Sequence, residues 1–247
     1  MTVVGRRLRA ALGIATLAGL TESLAVSSRK ILLLHGAGSD SAAFVNSPTS
    51  SGARNFLAGF PPRRRDPTPW QFTAANAGSD DGTWWKPSSP YAAKRDAYLG
   101  LEQSIASVEA VLAESGGQIS GVVGHEQGGL LAALVAARAA LGVGPSPLEF
   151  AVICGAAMPE PGSEWEALLV RLRETRPEAS IETLHCLSRS GSACEQGEQL
   201  AACFAPSAEI LWHDGGNAMP GPSWWKESRG FPDRVTGRSQ YVAGMHG

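Results

Sequence analysis

Short runs of apolar and β-branched residues alternate with amphipathic or alanine-rich segments along most of the chain. The strand-like runs occupy residues 30–34, 71–77, 119–123, 150–154, 181–187 and 209–213. Segments with helical spacing occupy residues 97–114, 130–141, 164–174 and 195–204, and residues 41–60 are expected to hold a short helix and a loop. Short, continuously apolar strands are typical of sheets that are buried on both faces. The alternation therefore predicts an α/β fold, with a mostly parallel sheet and helices on both faces.

Polar and glycine-rich residues follow several of these predicted strands. They are found at residues 35–39, Glu126, Gly155 onward, residues 188–192 and residues 214–218. The carboxyl ends of parallel strands meet at one edge of a sheet, and ligands bind beyond that edge. The sequence therefore places a candidate site there.

One connection between a strand and a helix has a distinctive glycine pattern. Residues 119–123 are rich in β-branched side chains, residues 124–128 read G-H-E-Q-G, and an alanine-rich helix follows. Strand, G-x-x-x-G and helix resembles the nucleophile elbow of α/β-hydrolases. Residues 119–128 are therefore predicted to form a strand, a sharp turn and a helix, with Glu126 at the apex.

Five stretches, in order and spacing, resemble the FSH-type family of small serine hydrolases. They are residues 31–36, 82–86, 121–128, 150–155 and 213–220. The resemblance covers about residues 29–220 and implies a single α/β-hydrolase domain over residues 30–220. It also implies an esterase- or thioesterase-like activity that uses a Ser–Asp–His triad and needs no cofactor. The implied partner is a small-molecule ester, thioester or acid-like ligand.

The chain departs from the family pattern at all three positions of the triad. The serine position holds Glu126, the acid position falls near Gly191, and the histidine position holds Asn217. A glutamate has no hydroxyl to deprotonate, and an asparagine cannot act as a general base near neutral pH. Without an imidazole, the third residue has nothing to orient.

These departures favour a catalytically impaired family member that acts by binding a ligand or a partner. Two alternatives stay open: an active hydrolase with a displaced or unusual catalytic set, and a purely structural or interaction protein. In the first interpretation the carboxylate of Glu126 is predicted to be ionised and held by backbone N–H groups near Gln127. Asn217 is predicted to donate a hydrogen bond to it.

Residues around the predicted elbow are the candidates for an oxyanion hole or a ligand pocket. Gly36 and Ala37 lie in the turn after the first strand, and the backbone N–H groups of Ala37 and Gln127 would form the oxyanion hole. Trp84 and Trp85 could line the pocket, although packing is the simpler interpretation.

Four of the five histidines are interpreted as structural, and the fifth, His246, lies in the C-terminal tail. His35 is expected to shape the loop after the first strand, and His125 to pack beside the strand before the elbow. His185 lies inside a predicted strand. His213 occupies a position that the family pattern holds apart from the catalytic histidine.

Composition narrows the classes of protein that remain. Of the 247 residues, 43% are hydrophobic and the net charge is −2, so a packed core is expected and a dedicated nucleic-acid binder is not. The four cysteines form no C-x-x-C pair, so no metal site is predicted. They are expected to be buried thiols, with a bridge between Cys194 and Cys203 left open.

The two ends of the chain differ from the middle. Residues 1–29 carry three arginines before an apolar run of about 11 residues, which is typical of secretion or organelle targeting but too short for a transmembrane helix. The alternative is that residues 1–29 are a disordered or helical extension of a cytoplasmic protein. Residues 221–247 form a tail of unassigned role. The sequence leaves the oligomeric state open.

Overall fold

Six of the described strands form one parallel sheet, and two short strands pair separately. The computed structural model describes residues 29–46, 53–63, 69–87, 98–145, 148–177, 181–189, 194–216 and 218–237. The strands are β1 (Lys30–Leu34), β2 (Gln71–Ala74), β3 (Lys86–Pro87), β4 (Tyr98–Leu99), β5 (Ile119–His125), β6 (Phe150–Cys154), β7 (Glu182–Ser188) and β8 (Ala208–His213). The main sheet has the order β2-β1-β5-β6-β7-β8, and each pairing in it is parallel. The predicted parallel sheet is confirmed.

Helices cover both faces of this sheet. They are α1 (Ser41–Asn46), α2 (Ala53–Ala58), α3 (Leu101–Glu114), α4 (Gln127–Ala140), α5 (Glu164–Thr175), α6 (Cys194–Ala202), α7 (Trp224–Glu227) and α8 (Phe231–Thr236). One hydrophobic cluster packs α3, α4, α5 and α6 against one face. A second cluster packs α1, α2, α7 and α8 against the other. The central strand β5 is buried along its whole length, as its β-branched composition predicts.

The helix predicted over residues 97–114 begins later than its apolar spacing indicates. Gly100 has φ 92°, a left-handed conformation that interrupts the helix, and α3 begins at Leu101. Tyr98 and Leu99 instead form β4, which pairs antiparallel with β3. The pairing of β3 with β4 therefore holds the loop that carries the two predicted pocket tryptophans beside the start of α3.

The segment from 221 to 237 is packed into the domain, although the sequence places it outside the predicted hydrolase boundaries. Trp224 and Phe231 are fully buried in the second cluster, and the Trp224 ring stacks on Phe56 with centroids 4.5 Å apart. The buried carboxylate of Glu209 accepts a hydrogen bond from the Phe231 N–H at 2.9 Å. This part of the tail therefore completes one face of the core. Residues 1–28 and 238–247 lie outside the described residues.

The cysteines match the predicted thiols. All four are free, so Cys194 and Cys203 are not bridged. Cys154, Cys186 and Cys203 are buried, while Cys194 is partly buried. Burial raises the pKa of the Cys186 thiol, which keeps it protonated and unreactive. Across the part of the chain that the structure describes, no helix combines the length and the apolar character needed to cross a bilayer.

Candidate functional site

The connection between β5 and α4 is a sharp turn at Glu126. β5 ends at His125 and α4 begins at Gln127, so Glu126 alone forms the apex. Its backbone has φ 51° and ψ −113°, outside the regions that non-glycine residues ordinarily occupy. Strain of this kind costs about 1–3 kcal/mol and persists only where the surrounding structure fixes it. The predicted strand, turn and helix with Glu126 at the apex are confirmed.

Two glycines allow the close approach that fixes this turn. A Cβ on Gly124 would lie 2.0 Å from the carbonyl oxygen of Gly128, and a Cβ on Gly128 would lie 2.2 Å from the last carbonyl oxygen of β1. The N–H of Gly128 donates to the His35 carbonyl at 3.2 Å, and the N–H of Glu126 donates to the Cys154 carbonyl at 2.8 Å. The apex is therefore tied to β1 on one side and to β6 on the other.

The side chain of Glu126 lies over Gly36, between the carboxyl ends of β1 and β6. A Cβ built on Gly36 would lie 2.7 Å from Glu126 Oε2, and a Cβ on Gly155 would lie 3.9 Å from Glu126 Cγ. The absence of a side chain at Gly36 gives the carboxylate its room. The carboxylate thus stands beside the turn that carries two of the predicted pocket residues, buried Gly36 and exposed Ala37.

The predicted hydrogen bonds that hold this carboxylate at the start of α4 are not formed. Glu126 makes no side-chain cap on the helix, and the described residues give its carboxylate neither a hydrogen bond nor an ion pair. The prediction is wrong because the side chain extends towards Gly36 instead of folding back over the first turn of α4. The hydrogen bond predicted from Asn217 falls on a residue outside the described part of the chain.

Replacing Gly36 with alanine is expected to lower the free energy of unfolding by about 1–3 kcal/mol, because the new methyl group overlaps the Glu126 carboxylate. The same replacement in a Glu126→Ala background should cost less, since the carboxylate is gone. Urea unfolding of the four proteins in a double-mutant cycle measures this coupling. Equal losses in both backgrounds would contradict the observed position of the carboxylate.

The side-chain amide of Gln127 joins the elbow to the tryptophan loop, which is the segment that carries Trp84 and Trp85. Its Oε1 accepts from the Trp84 N–H at 2.9 Å, and its Nε2 donates to the Trp85 carbonyl at 3.0 Å. The indole of Trp84 also donates to the His35 carbonyl at 2.8 Å. The sequence indicates only a backbone role for Gln127, and this amide contact is missed because it joins residues 42 and 43 positions apart.

Both tryptophans are buried, as the packing interpretation requires. Trp84 is 2% exposed and Trp85 is 9% exposed. They nevertheless line a cavity of about 260 Å³, together with Leu99 of β4 and with Gln103 and Ser104 of α3. Contact of either tryptophan with a ligand stays a prediction.

His35 has a structural role, as its position before the first turn indicates. Its Nδ1 lies 2.8 Å from the Gly36 carbonyl, and its Nε2 accepts from the Ala77 N–H at 3.4 Å. These two contacts fit a neutral ring with its proton on Nδ1. The ring also packs against Trp84, with centroids 4.9 Å apart. Both nitrogens of His35 are therefore occupied in holding the loop.

His213 is also poorly suited to act as a general base. Burial lowers its pKa, and the N–H of Gly215 donates to its Nδ1 at 3.2 Å. The neutral ring therefore carries its proton on Nε2 and has its accepting nitrogen occupied. The structural interpretation of His213 agrees with this geometry.

His125 is the histidine that borders the elbow most closely among the described residues. It is buried, and its ring stacks on Phe44 with centroids 6.2 Å apart. Its Nδ1 would lie 3.2 Å from a Cβ on Gly36, the same point that Glu126 Oε2 approaches to 2.7 Å. The structure thus brings an imidazole and a carboxylate close to Gly36.

His185 lies within β7, in the core, and has no role at the elbow. It is fully buried beside Phe204, and neither ring nitrogen has a hydrogen-bond partner among the described residues. Burial lowers its pKa to about 3, so the ring is neutral at physiological pH.

The other predicted strand-end residues meet at the same edge of the sheet. The N–H of Arg189 donates to the His213 carbonyl at 2.9 Å, and the Arg189 guanidinium pairs with Asp214 at 3.5 Å. The triad-equivalent positions Gly191 and Asn217 lie outside the described residues. No group of three potential metal ligands occurs within the ranges that the structure describes.

Comparisons with known proteins agree with this fold. The model of the family described as "Serine hydrolase (FSH1)" matches residues 24–228. The acyl-protein thioesterase 2 of Zea mays is similar in structure, with a TM-score of 0.55 and 18% identity over 85% of this chain and 94% of that chain. A thermostable esterase from Pseudomonas putida has a TM-score of 0.48 and 14% identity over 86% of this chain and 69% of that chain. No curated protein matches the chain in sequence.

The parallel sheet and the strained elbow at the end of β5 define an α/β-hydrolase fold. The chain belongs to the FSH1 serine hydrolase family, whose model covers most of its length. The residue at the apex of the elbow in this chain is Glu126.

Proposed function

We propose that this protein is a catalytically impaired member of the FSH1 serine hydrolase family that acts by binding a ligand or a partner at the elbow. The observation that carries the proposal is the position of Glu126, whose carboxylate lies over Gly36 at the apex of the turn. A carboxylate offers no hydroxyl for acylation by the triad mechanism.

The electrostatics of the site also oppose ester hydrolysis. Acyl transfer develops negative charge on the substrate's carbonyl oxygen, which backbone N–H groups after the nucleophile and in the loop after β1 stabilise in this fold. In this chain those groups belong to Gln127 and Ala37. The Glu126 carboxylate lies beside the same loop, so a developing oxyanion would meet a charge of the same sign.

The purified protein is expected to hydrolyse p-nitrophenyl acetate and butyrate no faster than buffer, and no serine should react with a fluorophosphonate probe. Both results follow from the missing nucleophile. Mass spectrometry of the probe-treated protein measures labelling, and heat-denatured protein gives the non-specific background. Stoichiometric labelling of one serine, with loss of turnover, would overturn the proposal.

An active hydrolase with an unusual catalytic set is the alternative, and one observation favours it. His125 Nδ1 and Glu126 Oε2 approach the same point above Gly36, at 3.2 Å and 2.7 Å. An imidazole and a carboxylate placed in this way could activate a water molecule without a covalent intermediate. Ester turnover that is insensitive to fluorophosphonate but abolished by Glu126→Gln would establish this alternative.

A further inference from the structure

We propose that the ligand of the elbow site is held through a protonated amine, with Glu126 as its counter-ion, and that the site excludes carboxylates. This inference rests on the proposed function, because it requires a site that binds its ligand and does not hydrolyse it. Among the small-molecule ligands that the family resemblance implies, it rejects the acid-like ones.

The first argument is that the charge of Glu126 is not neutralised within the described residues. No ion pair of those residues includes it, and its side chain does not cap α4. The N-terminus of α4 offers partial positive charge, but no described cationic side chain completes the neutralisation. An incoming ammonium group would supply the missing charge.

The second argument is the surrounding balance of charge. Around His213, at the carboxyl end of β8, the nearby ionisable groups are Asp214, Arg189, His125 and Glu227. Arg189 already pairs with Asp214. The ring of His213 is neutral at physiological pH because burial lowers its pKa. Of the charged groups that act on His213, the one outside this ion pair is the carboxylate of Glu227, and a negative charge at this edge of the sheet favours a cation over an anion.

The third argument is access to the Glu126 side chain. A Cβ on Gly155 would meet, within 4 Å, only the Cγ and the backbone nitrogen of Glu126 among the described residues. Gly155 is exposed and Glu126 is partly exposed, so a ligand can reach this side chain from solvent. An ammonium nitrogen that reaches the carboxylate can form a charge-assisted hydrogen bond of the usual 2.7–2.9 Å.

The matched probes for the test are n-butylamine, which is protonated at pH 7, and butyrate, which has the same chain length and the opposite charge. Binding to the full-length protein is followed by protein-observed NMR at low ionic strength. Butylammonium is expected to shift the amide signals of Gly36, Gln127 and Gly155, and butyrate is expected to leave them unchanged.

Substituting Glu126→Gln should weaken butylammonium binding at least tenfold, because it removes the charge and keeps the shape. Glu102→Gln is the matched control, since Glu102 is an exposed residue in the first turn of α3 and lies near Arg138, which is in the last turn of α4, at the end opposite the elbow. This variant should bind butylammonium as the natural protein does. Thermal melting checks that both variants are folded. Raising the salt concentration should weaken the binding of butylammonium to the natural protein, because salt screens the attraction between the two charges.

Three outcomes would overturn the inference: tighter binding of butyrate, no binding of butylammonium, or equal affinity in Glu126→Gln and the natural protein. These results are separable from a failure of the proposed function. If the fluorophosphonate and ester assays are negative and the amine does not bind, only the inference about the ligand fails. If a serine is labelled stoichiometrically, the proposed function fails whatever the amine does.

Discussion

Restoring serine, histidine and aspartate together is expected to create esterase activity, whereas Glu126→Ser alone should leave activity undetectable. Glu126→Ser supplies a hydroxyl without a base, Asn217→His supplies the base, and Gly191→Asp supplies the carboxylate that orients it. Triad residues act as a unit, so single restorations should be close to silent. A positioned general base contributes about 10²–10⁴-fold to the rate, and this is the gain expected for the triple variant over the single one.

The physical basis for this expectation is that the backbone of the elbow is intact. The apex retains its strained conformation, and α4 begins at Gln127 directly after it. Oxyanion donors in this fold are backbone groups, which do not depend on the side chains at positions 126, 191 and 217. Removal of Glu126 also removes the negative charge beside Gly36, so the serine variant tests both the nucleophile and the space around it.

Turnover of p-nitrophenyl butyrate by the single, double and triple variants provides the measurement, with thermal melting as the check on folding. The double variant with Ser and His should be far slower than the triple variant, because its imidazole lacks an orienting carboxylate. Strong activity in Glu126→Ser alone would show that a usable base already lies near the elbow. His125 and His213 would then be the residues to replace next.

Replacing Trp224 with alanine is expected to lower the free energy of unfolding by about 3–5 kcal/mol, the usual range for a fully buried tryptophan. Trp224 is 1% exposed, stacks on Phe56, and donates from its indole to the Phe56 carbonyl at 2.9 Å. The substitution therefore removes a large buried surface and leaves a buried carbonyl without its donor.

The neighbouring Trp225 provides the matched control. It is 37% exposed, so Trp225→Ala should change stability by about 1 kcal/mol or less. Chemical denaturation in urea measures both variants against the natural protein. Equal, small effects would contradict the conclusion that the segment from 221 to 237 belongs to the core.

Much of the fold could be predicted because its signals are local. The run of β-branched residues at 119–123, the glycines at 124 and 128, and the alanine-rich segment after them each favour one conformation without help from distant residues. Their combination predicts the strand, the turn and the helix. The parallel sheet follows from the repeated alternation of such signals along the chain.

The features that could not be predicted depend on contacts between distant residues. Trp224 packs against Phe56, which lies 168 positions earlier in the sequence. The sequence of residues 221–237 does not indicate that partner. The direction of the Glu126 side chain depends on the room at Gly36, 90 positions earlier in the chain. A helix dipole alone favours a capped carboxylate, but the available space decides the outcome.

The hydrogen bonds of the Gln127 side-chain amide affect which residues of this chain can indicate whether it is an enzyme. Because both of its polar atoms bind the backbone of the tryptophan loop, selection for folding alone would retain it after catalysis is lost. The crowding at Gly124 and Gly128 has the same effect. Under the proposed function, the residues that hold the elbow together keep the likeness to the enzyme family recognisable, and the side chain at position 126 is the one that reports on the chemistry.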